Sequence, residues 1–386
     1  MMIRNKDNLG IYVHIPYCQQ KCHYCDFLSF DGCDESEYES YALALVKEIG
    51  MAKDSFSNHK VDTIFIGGGT PSIFPLPLMQ KIVQALYESF NLDKDAEFTI
   101  ESNPKTLSYD KIRGYKDLGI NRISLGVQSL EEKTLALLGR IHDEKDVYEN
   151  VNQIRRAGFT NLNLDIMFAI PNQRVSSLMD TLEKVVRLGP EHVSFYSLIL
   201  EENTKMHTMF QSGIIQEIDE DTDREMYWRG IRYLEDNHFG HYEISNLACP
   251  HKECQHNLKY WSFEDYLGFG LGAHSFIDGK RFSNETNLNH YLENAENNRS
   301  QVLWQHQNTE EDNISEYIFT GLRKRAGLCM IDFENLFKIS IDRIFGKEIN
   351  RLIKDRLLLI EGEKIKLTEK GIDLSNRVMS EFILDK

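Results

Sequence analysis

Three cysteines crowd into one short run, Cys18-Gln-Gln-Lys-Cys22-His-Tyr-Cys25. Three thiolates on one loop can each ligate an iron of a [4Fe–4S] cluster. A cubane has four irons, so one iron keeps an open position, and that iron can chelate the amine and carboxylate of S-adenosylmethionine (SAM). An electron from the reduced cluster then breaks the sulfonium S–C5′ bond and releases an adenosyl radical, while the protein holds the cofactor and excludes competing reactions. The same spacing suits zinc, with His14 or His23 completing a Cys3His set. Tyr24, just before Cys25, can flank an adenine or simply pack around the metal. Cys33, Cys249, Cys254 and Cys329 read as ordinary buried thiols.

Further polar residues stand at matching places along the chain. The apolar run Val61–Ile66 ends in Gly67-Gly68-Gly69-Thr70-Pro71. Glycines let a ligand approach the backbone, and three in a row exceed what a tight turn needs. Carbonyls and N–H groups there suit the amino-acid end of SAM. Glu101 can accept hydrogen bonds from an ammonium or from ribose hydroxyls, as can Gln128 and Asp165; each alone would read as a polar cap at a strand end. Arg140, after Leu137-Leu138-Gly139, can meet a carboxylate, or it can form a surface ion pair.

Positioning these residues needs strands that end together. Strand signals at Leu9–Pro16, Val61–Ile66, Glu97–Glu101, Arg122–Val127, Leu162–Ile170 and His192–Leu200 alternate with helix signals, among them Glu35–Phe56, Leu76–Phe90, Tyr109–Leu118 and Val175–Leu188. Apolar runs separated by amphipathic helices indicate a parallel sheet covered by helices. Six β/α units without a dinucleotide fingerprint predict an α/β fold, an open, partial (β/α)6 barrel of the TIM type. Chemistry in such barrels sits beyond the C-terminal strand ends; Cys18, Gly67–Thr70, Glu101 and Gln128 fall at those ends, with Asp165 in the fifth strand and Tyr196 in the sixth.

Beyond Asp221–Asp236, which reads as a helix, Tyr242–Gly272 is rich in His, Cys, Tyr, Trp and Gly. Helix Glu311–Arg323 then opens a C-terminal unit whose strand-like runs, around a Glu361-Gly362 turn, resemble a winged helix. The expected division is a barrel over 1–240, a connecting region over 241–305 and a C-terminal winged-helix-like domain over 306–386.

Composition bounds the partners. Hydrophobic residues make up 41%, and 44 Lys and Arg against 60 Asp and Glu leave a net charge of −16. That surface repels nucleic acid and anionic lipid at long range. The C-terminal 311–386 stretch balances 14 basic against 14 acidic residues, so its wing lacks the net charge of a phosphate-backbone reader. Residues 1–10 lack a signal-peptide apolar core, and no run approaches a membrane span. A cytosolic chain is expected, with peripheral membrane contact left open. Clustered cysteines in a reducing compartment favour metal over disulfides.

Tyr12-Val-His14-Ile-Pro16-Tyr-Cys18, the Cys22-His-Tyr-Cys25 pair, Gly67-Gly-Gly-Thr-Pro71, Glu101-Ser-Asn-Pro104, Gly126-Val-Gln128-Ser129 and Asn163-Leu-Asp165 resemble the oxygen-independent coproporphyrinogen III oxidase-like family of radical SAM proteins. The likeness runs over most of the chain, including a C-terminal domain typical of the family. It implies a [4Fe–4S] cluster on Cys18, Cys22 and Cys25, with SAM contacts at Tyr12, Tyr24, Gly68, Gly69, Thr70, Glu101, Gln128, Arg140 and Asp165. The family has two main branches. Coproporphyrinogen dehydrogenase carries a fourth cysteine two residues after the third and a long segment before its cluster loop. Here Cys25-Asp26-Phe27 follows, and seventeen residues precede Cys18. Cys-Asp-Phe is similar to the HemW-type heme chaperones, as is His256-Asn257-Leu-Lys-Tyr260-Trp261, a motif associated with heme in that branch. That resemblance implies heme at His256, a heme-acceptor protein and an electron donor; the dehydrogenase is the alternative. Read from the residues alone, His256 is either an iron ligand near aromatic side chains or a hydrogen-bonded histidine in a loop.

Overall fold

The computed structural model describes residues 8–384; the polar start of the chain, residues 1–7, lies outside the described residues. Six strands run parallel side by side: β1 (Asn8–Ile15), β2 (Lys60–Gly68), β3 (Asn91–Ser102), β4 (Arg122–Gln128), β5 (Leu162–Phe168) and β6 (His192–Ser197). Helices between them cover the outer face. The fold is therefore the expected partial (β/α)6 barrel, with a winged-helix-like C-terminal domain.

Side-chain alternation explains why this sequence folds round a polar lumen. Successive residues of a strand point to opposite faces. In β4, Ile123, Leu125 and Val127 join the apolar core, while Arg122, Ser124 and Gln128 alternate with them. In β5, Leu162, Leu164 and Ile166 join the core, while Asn163 and Asp165 alternate. Pairing places Ser124 beside Asn163, Gly126 beside Asp165, and Asp165 beside Ser194. The polar residues of neighbouring strands thus meet on one face. Asp34 begins the first helix, Glu35–Phe56, accepting from the Ser36 and Glu37 N–H groups, a cap worth about 1 kcal/mol.

The sheet extends past six strands at both edges. β7 (Gly240–Glu243) and β8 (Asn246–Ala248) continue it antiparallel beyond β6. On the other side β9 (Tyr266–Phe269) pairs parallel with β1, followed by the antiparallel β10 (His274–Ile277), β11 (Lys280–Asn284) and β12 (Val302–Gln307). The 241–305 stretch, read from the sequence as a connecting region, therefore supplies strands to the barrel sheet itself. Its strands are three to six residues long, too short to announce a period against a background rich in Gly and aromatic residues.

At the C-terminal end, β13 (Leu328–Cys329), β14 (Leu358–Glu361) and β15 (Lys364–Leu367) form a separate small sheet, joined by helices Glu310–Leu322, Met330–Phe337 and Ile341–Lys354. It is tied to the barrel by a run of cations. The Arg323 guanidinium lies 4.3 Å over the Trp261 ring and 3.4 Å from Glu243, Lys324 Nζ donates to Ser262 Oγ at 3.0 Å, and the Arg325 N–H donates to Tyr242 O. No described helix is long and apolar enough to cross a membrane.

Candidate functional site

The cysteine loop leaves the end of β1 and is pinned from both sides. Cys18 N–H donates to Phe30 O at 2.8 Å and Phe30 N–H to Pro16 O at 2.7 Å, which closes the loop on itself. Cys25 N–H donates to Cys22 O, a tight turn. His23 binds the loop to the rest of the barrel: its N–H donates to Leu138 O, its Nδ1 to Leu137 O at 2.9 Å, and its Nε2 accepts from Lys205 Nζ at 2.9 Å. His14 is equally committed, with Tyr12 OH donating to Nδ1 and Nε2 donating to Leu28 O. Neither imidazole has a free nitrogen, which removes both of the fourth ligands that a Cys3His zinc site was given. Among the described residues no group of three His, Cys, Asp or Glu side chains converges on one ion; a cubane differs in taking one thiolate at each of three separate irons.

Donors surround two of the thiols. Thr70 Oγ1 donates to Cys18 Sγ at 3.6 Å, and Arg140 Nη1 to Cys22 Sγ at 3.5 Å. Asn103 joins these two donors, since its Nδ2 donates to Thr70 Oγ1 at 2.9 Å and its Oδ1 accepts from Arg140 Nη2 at 2.6 Å. Hydrogen bonds to ligating sulfurs are a main means of setting cluster potential. Burial pushes the Cys25 thiol up to about 11, against a backbone N–H bond from Phe27 that pulls the other way, and burial also raises Cys18. The donor set, three thiols with an arginine and a hydroxyl beside them, suits an anionic cluster.

The glycine turn makes room more than it binds. Gly68 has φ +117°, and a Cβ there would stand 2.7 Å from the His14 ring; a Cβ on Gly69 would stand 2.6 Å from Tyr17 O. Cysteine loop and glycine turn can pack this closely only without side chains. The Gly68, Gly69 and Thr70 N–H groups donate to Glu101 Oε2, Ile15 O and Tyr17 O. These three donors are therefore spent inside the protein, a limit on the backbone N–H role expected for the turn.

The remaining SAM candidates divide between two places. Arg140, Thr70 and Cys22 line a narrow cleft at the mouth, together with Asn103. Tyr12, Glu101 and Asp165 line a chamber of about 180 Å³ in the lumen. Gln128, buried with φ +63° at the end of β4, accepts from Tyr196 OH at 2.7 Å. A left-handed non-glycine residue stores of order 1 kcal/mol, which is common where a strand end presents a site. Tyr24 packs in a small apolar cluster with Leu138, Met167 and Met206. Asp165 accepts from Asn163 Nδ2 at 2.6 Å and from Ser124 Oγ. Sequence reasoning singles out neither Ser124 nor Ser194 and names Asn163 only within a motif; the signal that could have found them is the every-second-residue polar pattern of the strands.

Glu101 is pushed up to about 8, by burial first and then by Asp165, against the Gly68 N–H bond and the Arg122 charge. Its unfolded value is near 4.3. The folded state then holds the proton longer than the unfolded chain, so stability falls as pH rises from about 4 to about 8. Glu101→Gln should gain on wild type across that interval, by up to a few kcal/mol at roughly 1.4 kcal/mol per unit, and differ little below pH 4. Urea unfolding of the metal-free chain at pH 5 and pH 8.5 measures it. An equal difference at both pH values would refute the shift.

His256 lies at the opposite end of the lumen from the cysteines. The helix Gln255–Trp261 passes beneath the barrel, its first N–H groups donating to the Glu97 carboxylate at 3.1 and 3.0 Å. The His256 ring is 1% exposed, Nδ1 hydrogen-bonds Thr63 Oγ1 at 2.9 Å, Nε2 hydrogen-bonds Tyr260 OH at 2.8 Å, and Phe65 stacks on it. Burial, and then the Lys259 charge, lower it to about 3, so the ring is neutral. His256 shares its chamber with Tyr12, Glu101 and Asp165, a neighbourhood that spacing alone did not suggest. Pockets for drug-sized ligands run from ~300 Å³, so the chamber as it stands does not hold a porphyrin.

Comparison with known proteins follows the same lines. The family profile described as the radical SAM superfamily matches residues 12–185, and the HemN C-terminal domain profile matches 308–374. The chain is 36% identical to "Heme chaperone HemW" of Lactococcus lactis over 97% of both chains, and 35% identical to that of Bacillus subtilis over 96% of this chain and 98% of the relative. The solved structure of coproporphyrinogen III oxidase (HemN) from Escherichia coli superposes with a TM-score of 0.86 over 98% of this chain and 90% of that one, at 23% identity, a likeness of fold alone. Sequence motifs, barrel and full-length identity agree, and the chain belongs to the HemW heme chaperone family within the radical SAM superfamily.

Proposed function

We propose that this chain is a heme chaperone that binds heme and passes it to an acceptor protein, and that it carries a [4Fe–4S] cluster with an exchangeable SAM. The observation that carries the reading is full-length identity of 36% to a named heme chaperone, joined to Cys25-Asp26-Phe27 where the dehydrogenase branch has a further cysteine. Cys18, Cys22 and Cys25 would hold the cluster. Tyr12, Tyr24, Gly68, Gly69, Thr70, Glu101, Gln128, Arg140 and Asp165 would hold SAM. When bound, the pair supplies a one-electron route to an adenosyl radical.

The chain's own residues then have separable tasks. Arg140 sets a positive charge against Cys22 and the mouth, and Thr70 donates to Cys18. Asn103 holds those two in register. The close packing at Gly68 and Gly69 fixes the loop against the strand ends. Asp165, fed by Asn163 and Ser124, presents an acceptor to the lumen. The acceptor protein, an electron donor and a cytosolic location with no nucleic-acid partner belong to the same proposal.

Heme is assigned to His256. Iron ligation there requires the ring to leave Thr63 or Tyr260 and the chamber floor to open. Heme titration should give a Soret shift at about one heme per chain, weakened in His256→Ala. Coproporphyrinogen III with SAM and a reductant should yield no protoporphyrinogen above a no-enzyme control. Turnover in that assay would replace the chaperone with the dehydrogenase. An unchanged Soret shift in His256→Ala would move the heme ligand elsewhere on the chain.

A further inference from the structure

The lumen chamber is bordered by a buried arginine whose hydrogen-bonding capacity is not used up. Arg122 opens β4, and its side chain, 2% exposed, borders the chamber. Among the described residues its guanidinium makes no hydrogen bond and no ion pair, and its Nε is a buried donor without a partner. Burial works against its charge, but Cys254, Glu97, Tyr242 and Asp165, acting from a distance, more than offset that, so the guanidinium stays charged without a carboxylate in contact. Charges at a distance leave its N–H donors without an acceptor, and a buried donor left unmade is costly. Asn257, from the motif helix below, lines the same space.

We propose that this chamber binds a small carboxylate, clasped by the fork of Arg122 with the Asn257 amide as a further donor. A planar carboxylate matches two parallel guanidinium N–H groups. Glu101, protonated at neutral pH by its raised value, adds a donor on the opposite wall instead of a repelling charge. Ser124 and Asn163 already direct their hydrogens to Asp165, which keeps that carboxylate satisfied without Arg122. The chamber, of about 180 Å³, has room for several waters. A molecule between acetate and a free amino acid such as methionine fits that space; a porphyrin does not.

The site shares the Glu101 and Asp165 walls with the proposed SAM position but needs neither cluster nor SAM. The test is binding of acetate and of methionine to the full-length chain, by saturation-transfer NMR and calorimetry, with and without reconstituted iron. Saturable binding near one per chain is expected in both samples, so the cluster assignment can fail without this one. Comparable acetate and methionine affinities identify a bare carboxylate as the ligand; methionine at least tenfold tighter identifies an amino acid. Arg122→Gln should weaken binding at least tenfold. Because that change in a buried strand can impair folding, Asn257→Leu is the second variant: it keeps Arg122, fills the chamber, and should weaken binding at least tenfold with unchanged circular dichroism. No saturable binding by the wild type, unchanged affinity in either folded variant, or a high-resolution map with water alone beside Arg122 at saturating acetate would overturn the site.

Discussion

Anaerobic reconstitution is expected to load about four irons per chain, and Cys18→Ala, Cys22→Ala and Cys25→Ala each to reduce that to a small fraction. The size of the effect follows from ligand count. A cubane held by three protein thiolates has no spare ligand in the loop, and the four other cysteines lie elsewhere: Cys33 precedes the first helix, Cys249 and Cys254 follow β8, and Cys329 lies in the C-terminal sheet. Nor can a nearby histidine substitute, since His14 and His23 each have both ring nitrogens engaged. Iron and sulfide assay, with the visible charge-transfer absorbance of the cluster, measures the loss. A colourless wild-type chain that holds one zinc instead would defeat the assignment.

Asp165→Ala and Glu101→Ala should each weaken SAM binding by about 10- to 150-fold while iron content stays at the wild-type level. That range is the ~1.5–3 kcal/mol of a hydrogen bond to a charged group, the charge lying on the SAM ammonium where the partner is the neutral Glu101 carboxyl, converted to a ratio of dissociation constants. Both carboxyls are held in place before any ligand arrives, Glu101 by the Gly68 N–H and Asp165 by Asn163 and Ser124. Preorganised acceptors cost little to bind against, so their removal is felt in full. Asp165→Asn, which keeps the shape, should recover part of the packing but not the charge. The readout is the change that SAM makes in the EPR spectrum of the reduced cluster. Wild-type affinity in both alanine variants would take these residues out of the site.

Much of the barrel was legible because its signals are local. Apolar runs such as those of β2 and β5 and the helix Glu35–Phe56 announce themselves by period and by cap. The edges were not legible. Strand β9 pairs with β1 although more than two hundred residues separate Gly10 from Tyr266, and no local pattern encodes a partner so distant. The helix Gln255–Trp261 is seven residues long, too short for an amphipathic period, so its motif read as part of an irregular stretch.

The amino-acid sequence by itself determined the family and the fold class, and it marked the cysteine loop as the place to expect a metal centre, because those rest on residue types at fixed spacings. It also determined that polar residues alternate along β4 and β5, from which a polar lumen follows. Only the tertiary structure decided what those residues meet. It used up the nitrogens of His14 and His23, spent the N–H groups of Gly68, Gly69 and Thr70, joined Thr70 to Arg140 through Asn103, and put His256 under Glu101 and Asp165. It also left the Arg122 Nε buried without a hydrogen-bond partner. Hydrogen bonding and burial are set by neighbours brought from other strands, and a spacing within one segment carries no record of them.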